Sequence, residues 1–128
     1  LNMASGLGAW NGSGFSYDTG ATLSAQHGPT TVDTNAGGSL DFLVTEDYDL
    51  HPIWSIDENA GDGAYLIELT ASMDGLQTSE SFWVVFNLGL DHEDYEASVE
   101  WVEGNLVPTP AALPALGLAF LAGRRRRA

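Results

Sequence analysis

From Gly14 to Leu88 the chain alternates short apolar segments with clusters of glycine, aspartate, asparagine, serine and threonine, and this punctuation constrains the fold more than any other feature. The segments fall at residues 14–17, 21–26, 39–45, 52–56, 64–71 and 81–88. They are too short for core helices and have the length of strands. Residues 39–45 (SLDFLVT) place Leu40, Phe42 and Val44 on one face. In residues 52–56, Trp54 and Ile56 are in phase, and residues 64–71 (AYLIELTA) alternate Tyr65, Ile67 and Leu69 with Ala64, Leu66 and Glu68. Residues 81–88 (SFWVVFNL) are almost continuously apolar, which predicts a central strand covered on both faces. Asp18-Thr19-Gly20, residues 35–38, residues 59–63 and Asp74-Gly75 carry the residue types that turns require. Residues 1–13, rich in glycine, serine and alanine around Trp10, read as a frayed start or an edge strand.

One segment breaks the period of two. In residues 91–103, Tyr95, Val99 and Val102 recur at helical spacing, and Ala97 and Trp101 form a second such pair. Asp91 is placed to cap this helix, with Asp94 three residues on. Gly104 can end it, and Pro108 forbids its return. The expected fold class is mainly β: a small antiparallel β-sandwich with one short amphipathic helix lying against an open end of the sheet, plus a C-terminal transmembrane helix. The expected division is an acidic β-rich extracellular domain at residues 1–103, a linker at residues 104–110 and an anchor at residues 111–128. Glycine, asparagine and two prolines keep that linker extended.

Charge is distributed with unusual polarity. Eighteen acidic residues stand against four cations, all arginine, at Arg124, Arg125, Arg126 and Arg127; there is no lysine. The body therefore has no cation to offer a phosphate, which excludes nucleic acid and anionic headgroups as its partners. The absence of cysteine excludes disulfides, thiolate metal sites and a cysteine nucleophile. No basic region followed by a long apolar run precedes Gly12, so a secretory leader is not visible; it was removed, or the chain is the C-terminal part of a longer product.

The last residues carry the clearest signal. From Ala111 to Gly123 the chain reads AALPALGLAFLAG, without a charge, and the four arginines follow at once. As a helix this segment spans about 20 Å, short of the ~30 Å hydrocarbon core. Snorkelling arginines and local thinning of the bilayer accommodate the difference. The arginine cluster should stay cytoplasmic, leaving the acidic body outside.

Val107-Pro108-Thr109-Pro110, the Ala/Leu/Gly span and the terminal arginines together resemble the PEP-CTERM sorting signal of Gram-negative bacteria. That family shows Val-Pro-Glu-Pro, a short transmembrane segment and a basic end; the chain departs from it at Thr109. The resemblance implies that Val107, Pro108, Thr109 and Pro110 are the recognition motif. It further implies that an exosortase-type membrane enzyme processes the chain near them, and that the protein is exported, anchored in transit and then held at the cell surface or outside it. It covers only the tail. Residues 62–66 (DGAYL) and 79–87 (SESFWVVFN) also resemble extracellular domains joined to such tails, with no activity implied.

Other candidate sites lie in the body. Residues 57–63 (DENAGDG), followed by Glu68, have the composition of a calcium loop, with Asp57, Asn59 and Asp62 as candidate ligands. Against the twelve-residue helix-loop-helix template, however, Gly61 stands where a ligand is preferred and Asp62 where glycine is required. A polar hairpin loop is the simpler reading. Glu46-Asp47-Tyr48-Asp49 and Asp91-His92-Glu93-Asp94 are further acidic clusters, of the kind that usually solvates a surface. His27, His51 and His92 show no zinc-ligand spacing. Asn11-Gly12-Ser13 matches a glycosylation acceptor. Trp83 and Trp101 lie in apolar patterns, whereas Trp10 and Trp54 are freer to stack on sugars, although a core role is the expected one for them as well. Ser79 and Ser81 lie beside acids without a nucleophile-elbow pattern. The chain is expected not to be an enzyme and to need no cofactor. A structural or adhesive surface role, with exopolysaccharide as a partner, is the expected function; a calcium- or carbohydrate-binding module on the same anchor is the alternative, and a secreted hydrolase a weaker one.

Overall fold

The computed structural model describes residues 1–46 and 49–108. They form β1 (Asn2–Met3), β2 (Gly8–Trp10), β3 (Phe15–Ser16), β4 (Leu23–His27), β5 (Thr30–Asp33), β6 (Gly38–Ser39), β7 (Ile53–Ile56), β8 (Gly63–Thr70), β9 (Phe82–Leu88) and the helix α1 (His92–Asn105). The fold is mainly β, with two antiparallel sheets and one short helix.

Strand β8 is the centre of the larger sheet. It pairs with β9 along one edge; β1 and β2 share the other, with β6 beyond β1 and β3 beyond β2. Between β1 and β2, Ala4 donates its amide to the Glu68 carbonyl at 2.9 Å, so the N-terminal segment runs along β8 as one interrupted strand. Residues 1–13 are thus neither frayed nor an edge. The expectation that residues 81–88 would be central is corrected: the buried strand paired on both sides is β8, with Ala64, Leu66 and Ile67 at most 1% exposed. Faces explain the difference. β9 is apolar on both faces because the core lies under one and α1 over the other, yet among the described residues its outer edge pairs with no strand.

The smaller sheet has the order β5-β4-β7. Its Leu23 joins Leu7, Tyr65, Ile67 and Leu69 in the core, and Trp54 from β7 meets Phe86 from β9 with ring centroids 5.2 Å apart. On the opposite face of β8, Ala64 and Leu66 point away from this cluster, on the side that α1 covers with Ser98 and Val102. Trp101 completes that layer, edge-on to Trp10 and Phe15 at 6.4 and 5.7 Å.

One strand expectation fails and one strand was not expected, each for an identifiable reason. Of residues 39–45 only Ser39 stays in a strand: β6 pairs with β1, itself two residues long, so the ladder runs out. Leu40 is buried, but Leu43 is 80% exposed, and Phe42 stacks on His27 at 4.4 Å. Conversely, β5 was not visible in sequence because it buries little. It forms because Gly28, at φ 57°, opens a two-residue loop whose geometry suits a hairpin.

Asp91 caps α1 as expected, its carboxylate accepting the Asp94 amide at 2.9 Å, and Glu93 and Asp94 sit favourably in the first turn. The helix runs on to Asn105, and Leu106 and Val107 both donate to the Val102 carbonyl. The helix thus continues past Gly104, where the sequence was expected to end it. Asp91→Ala should lower the unfolding free energy by about 1 kcal/mol. A urea midpoint that falls with an unchanged slope is the expected readout; no change would mean the cap contributes nothing.

Among the described residues no helix is long and apolar enough to cross a membrane. The expected anchor at residues 111–128, with Arg124, Arg125, Arg126 and Arg127, lies outside the described residues, as do Thr109, Pro110, Asp47 and Tyr48.

Candidate functional site

Among the described residues, strands β7 and β9 are the last strands of their sheets on the same flank of the body, facing each other across the Trp54–Phe86 contact. Backbone alternation shows what each edge presents. Ala4 bonds the Glu68 carbonyl, so Glu68 turns its backbone groups toward the N-terminal strand. In an antiparallel ladder its neighbours across β9 then alternate, and Trp83, Val85 and Asn87 direct their N–H and C=O groups away from β8. Tyr95 reads this edge from α1, its hydroxyl donating to the Val85 carbonyl at 3.1 Å. By the same reasoning, the Leu23 carbonyl accepts from Thr34 and the Thr22 carbonyl accepts from Asp57, which leaves the backbone groups of Trp54 and Ile56 facing outward on β7. Between the two edges lies an apolar cleft of about 160 Å³, lined by Leu23, Trp54, Ile56, Tyr65, Phe86 and Leu88. That volume is of the order that holds one benzene-sized group.

The surroundings of this flank are acidic. Asp57 and Glu58 follow β7, and α1 above β9 exposes Glu93, Asp94, Glu96, Glu100 and Glu103. No lysine or arginine occurs before Arg124.

The calcium candidates are tied into local structure. The Asp57 carboxylate accepts the Thr22 amide at 2.6 Å and its carbonyl accepts the Ala60 amide at 2.9 Å, joining the loop to β4. Tyr65 donates to the Gly61 carbonyl at 2.6 Å. Asp62 lies against Gly89, where an added Cβ would come within 2.5 Å of its carboxylate, and Asn59 is exposed. Among the described residues no group of three or more histidine, cysteine or acidic side chains is placed to hold a metal ion. His27 is occupied by Phe42, His92 bonds Glu96 at 2.9 Å within α1, and His51 is exposed.

Trp10 packs with Phe15 and Trp101, and Trp54 lines the cleft; both are half-buried. Asn11 uses its side-chain oxygen to close the β2–β3 turn on Ser13 and Gly14, and its amide donates to Ser16. Sequence reasoning missed the flank, because its chief groups are backbone amides and carbonyls that every residue has.

One titratable pair stands out on the outer face of the larger sheet. Tyr17 holds its proton above the usual value near 10.0, first because it is partly buried and second because the Glu68 carboxylate repels the phenolate. Ser81 donates to that carboxylate. A raised tyrosine favours the folded state fully below its unfolded value and loses that advantage as pH climbs through the folded one. Glu68→Gln should move the Tyr17 midpoint part of the way down in an alkaline absorbance titration, since burial remains; an unmoved midpoint would remove the charge from the account.

Comparison with family models, with curated protein sequences and with solved structures finds no match.

Proposed function

We propose that the chain is an exported surface or extracellular-matrix protein, an acidic β-sandwich body delivered by a C-terminal sorting and membrane-anchoring signal. One observation carries this reading: Val107-Pro108-Thr109-Pro110, an uncharged apolar span and four arginines stand in that order directly after the body closes at Val107. The charge polarity supports it, because the residues that a cytoplasmic face retains are confined to one end. The two sheets sharing one core support the sandwich form. A body held together by backbone ladders and apolar packing suits a structural or adhesive role, and this reading assigns it no catalysis. Its partners are a processing enzyme of the exosortase type, the membrane in transit and exopolysaccharide in the matrix.

Intact-mass measurement of the protein recovered from its native host tests this directly. Processing near Pro108 yields a mature chain lacking residues 124–127. A full-length chain, freely soluble in the cytoplasm, overturns the proposal.

A further inference from the structure

We propose that the β9 edge is a strand-addition site for an extended apolar segment flanked by lysine or arginine. This rests on the body alone and holds whether or not the tail is a sorting signal. Three observations converge. The backbone groups of Trp83, Val85 and Asn87 face away from β8, and a strand laid antiparallel along them would complete their hydrogen bonds. Of these groups Tyr95 satisfies the Val85 carbonyl, so the edge is partly guarded and an incoming strand displaces one hydroxyl. Beside the edge, the Trp54–Phe86 cleft of about 160 Å³ has room for one aliphatic or aromatic side chain pointing inward from the added strand.

Charge selects the occupant. The edge strand itself carries no charge, whereas Asp57 and Glu58 follow β7 across the cleft and α1, packed against β9, exposes Glu93, Asp94, Glu96, Glu100 and Glu103. A second copy of this body would bring the same acids against them, which disfavours self-pairing. A segment with cations at its ends and apolar residues between satisfies both the rim and the cleft.

The probe is a synthetic nonapeptide of alternating valine and threonine between terminal lysines, titrated into the full chain by calorimetry and tryptophan fluorescence. Saturable binding is expected, weakened at least about tenfold when the lysines become glutamates at low salt, with the difference fading in high salt. N-methylation of the peptide amides that face β9 should also cost at least about tenfold, since it removes the ladder bonds without changing side chains. No saturable binding, equal affinity of the N-methylated peptide, or indifference to flanking charge each overturns the proposal. So does a chain that already dimerises through this edge, shown by sedimentation as a dimer that Val85→Pro converts to monomer.

Discussion

Ile67→Ala is expected to lower the unfolding free energy by about 4 kcal/mol. Ile67 is fully buried at the middle of β8, opposite Val84 on β9, in the cluster with Leu7, Leu23, Tyr65 and Leu69. Truncation removes apolar contacts and leaves a cavity that neighbours on two paired strands cannot fill, because the ladders fix their backbones. For a body of this size such a loss corresponds to a melting temperature lower by roughly 15–30 °C. The contrast is Ile53→Ala on β7. Ile53 is 66% exposed, and its truncation should stay within about 0.5 kcal/mol. Urea unfolding of the two variants side by side measures the difference. A loss below about 1 kcal/mol for Ile67→Ala would mean the core is not organised around β8.

Replacing Arg124, Arg125, Arg126 and Arg127 with asparagine should abolish the orientation of the proposed anchor. Each arginine resists transfer through the hydrocarbon by about 3 kcal/mol, so under that proposal four together would act as a cytoplasmic stop. Without them the apolar segment has no end that must remain inside, and a topology reporter fused to the C-terminus should shift from one compartment to a mixture of both. Under the same proposal, retention of the body at the surface should fall in parallel. An unchanged topology would show that the arginines do not orient the segment, and the sorting reading would lose its physical basis.

The two predictions draw on different parts of the chain, and those parts were legible to different degrees. The Asp91 cap was readable because a helix start is local: one carboxylate and an amide three residues on suffice. The alternation in residues 64–71 was readable for the same reason, since successive side chains of any strand take opposite faces. Residues 39–45 show where this reasoning stops. Their pattern is that of a strand, yet a strand persists only as far as a partner runs beside it, and β1 supplies two residues. What Trp10 packs against is likewise hidden from the sequence, because Trp101 is distant along the chain and delivered by α1.

The candidate flank was not legible at all. What the amino-acid order determined by itself is the β-rich class, the turns, the helix start and the segregation of every cation to the last residues, because each depends on side chains a few positions apart. Only the tertiary structure decided that β8 is central, that β9 is an edge among the described residues and that a cleft opens beside Trp54. A strand's side chains record which faces are covered. Its edges are lined by backbone groups identical in every residue, so which edge remains open follows from pairing alone.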